Sequence, residues 1–347
     1  MKKFTSLLLV FVLTLSVLVG CSGPEDDQVT LNVYNWGDYI DESILEDFEA
    51  ETGIKVNYEM FATNEDMYVK LKQGGTNYDV AFPSDYMIEK MIKEDMLHKI
   101  DLEKLENYKL IMDEFKGLDF DPGEEYSVPY MWGTVGILYN KSMVTDPVDS
   151  WDILWDEKYK GNILMMDSQR DTLMVALKKL GYSMNTRSTE ELEQAKEALI
   201  EQKPLVLAYV GDNVKDMMLS EEAAMAVVWS GEAMQVMMEK EGYDYAYPKE
   251  GTNLWFDSVV IPKTSEHVEE AHMFIDFLNR EDIALKNAEY IGYSSPNVGA
   301  VEQISEDIKA MSAAYPDMDK LKNSEVFLDP GDFIEEFNRV WTELKAH

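Results

Sequence analysis

The sequence predicts an α/β protein of two lobes that works outside the cytoplasmic membrane. Three observations predict it. Short strand patterns alternate with amphipathic helices from Val29 onward, the same alternation starts again after about residue 135, and the chain opens on a leader that ends at its single cysteine, Cys21.

The leader comes first. Met1-Lys2-Lys3 is basic, Phe4 to Gly20 is mostly apolar, and Leu18-Val19-Gly20-Cys21 closes the run. A basic start, an apolar middle and a small residue at the cut are the parts of a signal peptide. The apolar run is shorter than the roughly 20 residues that span a bilayer, which favours a cleaved leader over an anchor helix. Leu-Val-Gly-Cys also resembles a bacterial lipobox, in which the cysteine becomes the lipidated first residue of the mature protein. Residues 1–20 are therefore expected to be a signal peptide, and 21–28 a linker lipidated at Cys21. One acyl chain gives only marginal membrane binding and stable anchoring takes two hydrophobic signals, so a durable tether needs a multiply acylated cysteine. With one cysteine no disulfide framework can form.

Beyond the leader, Val29 to Trp36 reads as a strand. Asp41 is expected to cap a helix that buries Ile44, Leu45 and Phe48, with Gly53 as its stop. Ile54 to Phe61 is the next strand, followed by a helix through Met67, Val69 and Leu71 that ends at Gly74-Gly75. Tyr78 to Phe82 is a third strand, running through Pro83-Ser84 into a helix with Met87, Met91 and Ile92. This β-α-β-α-β order argues for a mostly parallel sheet with helices on its faces. In the second stretch, Asn162 to Met166 is a strand and Thr172 to Leu180 a helix. Ser188 or Thr189 caps a further helix to Ile200, whose stripe is Leu192, Ala195 and Leu199 and whose first turn is acidic. Leu205–Tyr209, Met225–Ser230 and Leu254–Ile261 complete the strands.

Composition narrows the function. Hydrophobic residues make up 46% of 347, enough for real cores, and the formal net charge is −36. Such a chain does not bind nucleic acid, which needs a basic surface. The acidity reads first as a solvated surface and second as an attraction for a cationic ligand. Steering by exposed charges is screened beyond ~10 Å at 0.1 M salt. The histidines His98, His267, His272 and His347 form no His-x-x-x-His pair, so no zinc site is expected. No Gly-x-Ser-x-Gly elbow, phosphate loop or dinucleotide fingerprint occurs, and no cofactor is expected.

What the chain does have is aromatic rings and carboxylates near strand ends. Trp36-Gly37-Asp38-Tyr39, Ser84-Asp85-Tyr86, Asp167-Ser168-Gln169-Arg170-Asp171, Trp229, Trp255-Phe256-Asp257 and Tyr293 are the candidates. In open α/β sheets ligands bind outside the carboxyl ends of the strands. Aromatic faces attract ammonium groups at ~0.5–2 kcal/mol each, and carboxylates add charge-assisted hydrogen bonds. Taken singly, each residue is better explained by packing or capping; the set points to an amine cation.

At these residues the chain resembles the substrate-binding proteins of bacterial spermidine/putrescine ABC transporters. The resemblance runs over nearly all of Val29 to His347. It is carried by Tyr34-Asn35-Trp36-Gly37-Asp38-Tyr39, Pro83-Ser84-Asp85-Tyr86, Trp255-Phe256-Asp257-Ser258 and Ile291-Gly292-Tyr293-Ser294-Ser295-Pro296-Asn297. It implies a two-lobe periplasmic-binding-protein-like fold of type II, each lobe a mixed sheet flanked by helices, with strands crossing at the hinge. The implied lobes are 29–134 with 256–303, and 135–255 with 304–347. The implied ligand site is Trp36, Asp38, Tyr39, Ser84, Tyr86, Asp171, Trp229, Trp255, Asp257 and Tyr293. Trp255 and Tyr39 would flank the methylene chain, and Asp257 and Asp171 would hold amino groups. Ser168 stands where spermidine binders carry an acid, Phe327 where they carry a glutamine, and Gly37 where some carry a hydroxyl residue. Asp167 is the carboxylate that could substitute for the missing acid.

The resemblance implies a monomeric lipoprotein, held at the cell membrane, that binds a polyamine and passes it to an ABC permease without chemistry of its own. Three other functions fit parts of the pattern. A receptor for an amino acid needs a cleft arginine, and Arg170 is the one near the candidates; a sugar receptor would use the aromatics but not several bare carboxylates. A secreted glycosidase would use two carboxylates such as Asp171 and Asp257. A purely structural lipoprotein would bind nothing.

Overall fold

The computed structural model describes residues 28–347 apart from 38, 212 and 317. The expected signal peptide, Cys21 and Asp38 lie outside the described residues.

Nine strands are present among the described residues: β1 (Thr30–Trp36), β2 (Lys55–Phe61), β3 (Val80–Ala81), β4 (Ser127–Asn140), β5 (Ile163–Met166), β6 (Val206–Val210), β7 (Met225–Trp229), β8 (Tyr243–Ala246) and β9 (Leu254–Val260). The helices are α1 (Ser43–Thr52), α2 (Asn64–Gln73), α3 (Asp85–Lys93), α4 (Gln169–Lys179), α5 (Thr189–Gln202), α6 (Val214–Leu219), α7 (Ser230–Glu239), α8 (Val268–Leu278), α9 (Glu281–Ile291), α10 (Val298–Gln303), α11 (Glu306–Lys309) and α12 (Ile334–Ala346). The strand order is β2-β1-β3-β9-β4-β7-β5-β6, with β8 also on β4.

Strand β4 belongs to both lobes. Its first half, from Ser127 to Thr134, pairs with β9, while Val135 to Tyr139 pairs with β7 and Ile137 to Asn140 with β8. The chain returns between Asn253, whose carbonyl takes the Val135 N–H, and Leu254, which faces Thr134. The parallel pairs are β1·β2, β1·β3, β5·β6 and β5·β7, and every antiparallel pair involves β4 or β9. The sheets are thus mixed rather than mostly parallel. The βα alternation sets the parallel strands; the two connecting strands arrive from the other lobe and run against them.

Alternation along each strand divides two layers of core in each lobe. Leu31 and Val33 of β1 pack with Ile44 and Phe48 of α1, and Phe48 meets Phe274 and Phe277 of α8 edge-on at 5.0 and 5.3 Å. Tyr34 faces the other layer with Tyr78, Met87 and Met91. A bulge between Pro129 and Met131 shifts the register of β4, so Tyr130 and Met131 go to the α1–α8 layer and Trp132 to the opposite one. In the second lobe Ile137, Met165 and Val227 pack on α4, α5 and α12, while Leu138, Leu164 and Val228 face α6 and α7.

The helix ends follow their local chemistry. Gly53 closes α1 in the left-handed conformation, donating to the Glu49 carbonyl. The expected cap at Asp41 is displaced by one residue. Glu42 holds the N-cap position, and Asp41 Oδ1 accepts from the Ser43 N–H and hydroxyl at 3.0 and 2.6 Å. Ser188 caps α5 as expected, accepting from the Glu191 N–H. Gly292 ends α9 with φ 82° and turns the chain into Tyr293.

Candidate functional site

Among the described residues of the expected site, Tyr39, Ser84, Trp255, Asp257 and Tyr293 gather where the sheet changes lobe. Asp257 lies in β9 and is 8% exposed. Its Oδ1 accepts from the Ser84 hydroxyl at 2.6 Å and its Oδ2 from the Tyr39 hydroxyl at 2.7 Å. Tyr39 follows β1, and Ser84 precedes α3 and bridges Asp257 in antiparallel fashion. Burial pushes the Asp257 carboxyl up to about 6, against the two hydrogen bonds that favour the charged form. Burial, with Asp257 beside it, also holds the Tyr39 phenol well above its usual range.

Aromatic rings surround this carboxylate. Tyr293 meets Trp255 edge-on at 5.1 Å and Tyr39 at 5.8 Å. Two glycines let these rings approach. A Cβ on Gly133 of β4 would fall 2.4 Å from the Trp255 ring, and one on Gly231, in the first turn of α7, 1.9 Å from the Tyr293 ring. Tyr293 from the first lobe therefore lies against backbone from the second. Trp229 ends β7 opposite Val135 and packs on the cores of both lobes. Trp36 packs against Phe61 at 4.5 Å, and its indole N–H is taken by the Phe82 carbonyl.

Asp171, in the first turn of α4, forms a second carboxylate centre and is 6% exposed. Its Oδ2 accepts from the Ser168 hydroxyl at 2.6 Å and its Oδ1 from Asn253 Nδ2 at 3.3 Å. Burial raises its pKa, opposed first by these two bonds. Neither Asp171 nor Asp257 has a Lys, Arg or His ion-pair partner among the described residues.

Tyr86 joins the first centre indirectly. Asn64 Nδ2 donates to both the Ser84 and the Tyr86 hydroxyls, and Tyr86 donates to Glu65. Asp167, the carboxylate expected to be able to replace the acid missing at Ser168, has another partner. It pairs with Lys345 Nζ at 2.6 Å. Arg170 is largely engaged by the protein, though its Nε is buried without a hydrogen-bond partner. Its guanidinium stacks 4.2 Å over Phe327 and 4.9 Å over Phe337, with donors on the Leu328 carbonyl and Asn185.

Several organising residues were not among the expected ligand contacts, although Asp85 lies inside a candidate segment. Asn64 ties Ser84 to Tyr86. Asp85, 1% exposed, accepts the N–H groups of Tyr86 and Phe256, and so fixes the start of α3 to β9 beside Asp257. Burial lifts its pKa well above the usual range, with Asp257 adding to the rise. Tyr130 donates to the Tyr39 carbonyl at 2.6 Å and is itself held by Asn287. Nothing in the sequence ties these residues to their distant partners, which only the tertiary fold brings to them. No group of metal-ligating side chains and no helix long and apolar enough to cross a membrane occurs among the described residues.

Residues 43–318 match the family described as bacterial extracellular solute-binding protein. The spermidine/putrescine-binding periplasmic protein of Escherichia coli is 39% identical, over 92% of this chain and 93% of its own. A solved Streptococcus pneumoniae spermidine/putrescine ABC transporter substrate-binding protein, in complex with calcium and HEPES, is 43% identical. It superimposes with a TM-score of 0.84 over 92% of this chain and 99% of its own. A solved Listeria monocytogenes protein, described as a candidate spermidine/putrescine ABC transporter, is 45% identical with a TM-score of 0.85 over 91% and 98%. The two-lobe periplasmic-binding-protein-like fold of type II is therefore shared. The chain belongs to the bacterial extracellular solute-binding proteins, among the substrate-binding proteins of spermidine/putrescine ABC transporters.

Proposed function

We propose that this protein binds a polyamine of the spermidine or putrescine class between its lobes and delivers it to an ABC permease. One observation carries the reading. Asp257 and Asp171 are both buried, both accept only neutral hydrogen bonds, and neither forms a direct ion pair among the described residues, although the Arg170 charge acts on Asp171 from beyond contact. A buried carboxylate without a contacting counter-charge is costly, and a ligand with two or more ammonium groups supplies that contact. The rings of Trp255, Tyr39 and Tyr293 offer faces for methylenes and cationic nitrogen. Trp36, Asp38, Ser84, Tyr86 and Trp229 complete the proposed wall. An amino-acid ligand fits less well, because the nearby guanidinium of Arg170 is stacked on protein rings and bonded to a protein carbonyl.

No chemistry is required. Ligand contacts made in both lobes favour the closed form over the open one, and that difference is the signal a permease reads. Cys21 would carry the lipid that keeps the monomeric receptor at the membrane.

A thermal-shift panel of putrescine, cadaverine, spermidine, spermine, amino acids and sugars tests the reading. Stabilisation by polyamines alone supports it; stabilisation by a sugar or amino acid, or by nothing, overturns it. For the tether, Cys21→Ala should leave the protein uncleaved or released from the membrane on fractionation, and a mature-sized variant retained there would contradict it.

A further inference from the structure

Asn253 sits at the crossing between the lobes and is 3% exposed. Its amide is half satisfied. Nδ2 donates to Asp171 Oδ1 at 3.3 Å, while Oδ1 is buried with no hydrogen-bond partner. The orientation follows from the neighbour, since the NH2 group must face the carboxylate. The unpaired oxygen therefore belongs to the same amide group that Asp171 holds through its nitrogen. An unsatisfied buried acceptor costs free energy that a ligand donor would recover.

Strand parity places this amide in a row. Thr134 faces Leu254 and Gly133 faces Trp255, and the Val135 N–H continues the ladder to the Asn253 carbonyl. Side chains two apart share a face, so Asn253, Trp255 and Asp257 line one side of the strand, over about 13 Å from first to last. Along that face come an amide oxygen, an indole and a carboxylate.

We propose that Asn253 is a ligand-binding residue, whose Oδ1 works with Asp171 to receive a primary ammonium at one end of the polyamine. This rests on the polyamine reading above and adds to it a requirement for N–H number. The Asp171 oxygens hold one neutral donor each and keep acceptor capacity for an ammonium. Asp171 and Asn253 Oδ1 together then offer acceptors from two side chains. A primary ammonium brings three N–H groups to them; a secondary one brings two and an extra methyl. This end of the site thus selects a terminal amine.

The test is a four-way titration: the parent and Asn253→Leu, each with putrescine and with N,N′-dimethylputrescine, whose ends are secondary. Leucine matches asparagine in size and removes both the free acceptor and the N–H that Asp171 accepts. The parent should prefer putrescine. Asn253→Leu should lose about tenfold or more for putrescine and distinctly less for the methylated diamine, so that the preference shrinks. Its ligand-free melting midpoint should stay near the parent's, because the unpaired acceptor that leaves the core offsets the N–H that Asp171 loses. Equal losses for both diamines, or none, overturn the role of Asn253, as does a lowered midpoint with the preference unmoved. Should Asn253→Leu not fold, Asn253→Ser is read in the same titrations. A parent that binds neither diamine and no spermidine fails the polyamine reading itself, which is a separate result.

Discussion

Replacing Asp257 with asparagine should weaken ligand binding and strengthen the empty protein at the same time. Asp257→Asn keeps the side chain's shape and removes its charge. The amide oxygen can still accept from Ser84, and the Tyr39 hydroxyl can turn to accept an amide N–H, so the side chain stays in place. What is lost is the counter-charge for an ammonium. Removing one partner of a buried ion pair costs ~3–5 kcal/mol, and since the amide still accepts a hydrogen bond the low end applies, at least ~100-fold in Kd. The ligand-free protein responds the other way. Burial moves this carboxyl from 3.8 to about 6, a penalty of about 3 kcal/mol on the ionised form. The folded pKa is the higher one. The stability Asp257 contributes is therefore fully present below pH 3.8 and is lost as the pH rises through about 6. At pH 8 the ligand-free variant should exceed the parent by up to about 3 kcal/mol, and the gap should close toward pH 4. Over the same range the parent's polyamine affinity should fall as the pH drops below 6, because the proton competes with the ammonium. Denaturant unfolding at pH 8 and pH 4, with calorimetric titration at pH 8 and pH 5.5, measures both arms. A variant that binds like the parent, or that is equally destabilised at both pH values, refutes the reasoning.

Three further substitutions probe the walls and the far end. Gly231→Ala drives a methyl to 1.9 Å from the Tyr293 ring; relieving it costs ~1–3 kcal/mol, and affinity should fall by one to two orders of magnitude in titration unless Tyr293 is no part of the site. Trp255→Leu removes the indole face, with a loss of ~0.5–2 kcal/mol in cation–π attraction and a smaller tryptophan fluorescence response to polyamine; a variant that binds and responds like the parent makes Trp255 plain core. Ser168→Asp adds a carboxylate beside Asp171 and should shift the ratio of spermidine to putrescine dissociation constants toward the triamine by ~1–3 kcal/mol. If that ratio is unmoved or shifts toward putrescine, residue 168 is not at the third amine.

The parts of the fold that show one buried face were legible in the sequence. Helix α5 announces itself through the Ser188 cap, the acidic first turn and the Leu192–Ala195–Leu199 stripe, and α1 through Gly53. Strand β4 was not legible as a strand. All but one of its fourteen residues are buried, so neither face is polar and no alternation marks it. Strand β8, of four residues, is too short for a period to show, whereas β3, though only two residues long, falls inside the strand read at Tyr78 to Phe82. The mixed direction of the sheets escaped the βα reading for the same reason, because it comes from β4 and β9 crossing between lobes.

The site divides in a similar way. Aromatic and acidic residues at strand ends marked where to look, and the family resemblance supplied the grouping. The pairings of the polar residues that fix the geometry had no such marker. Asn64, Asp85 and Asn253 each have a partner 20 to 171 residues away, which the sequence alone does not reveal. Asp167 shows the opposite failure. It reads as a spare carboxylate until the fold brings Lys345, 178 residues on, against it.

The most direct test is a calorimetric titration of the mature protein with spermidine and with putrescine at pH 8, repeated at about 0.05 and 0.5 M salt. Buried carboxylates and aromatic faces predict one ligand per chain, with an affinity that changes little with salt because the pair is shielded from solvent ions. No binding, or several weak sites that vanish at high salt, would assign any attraction to the −36 surface charge and contradict a polyamine site between the lobes.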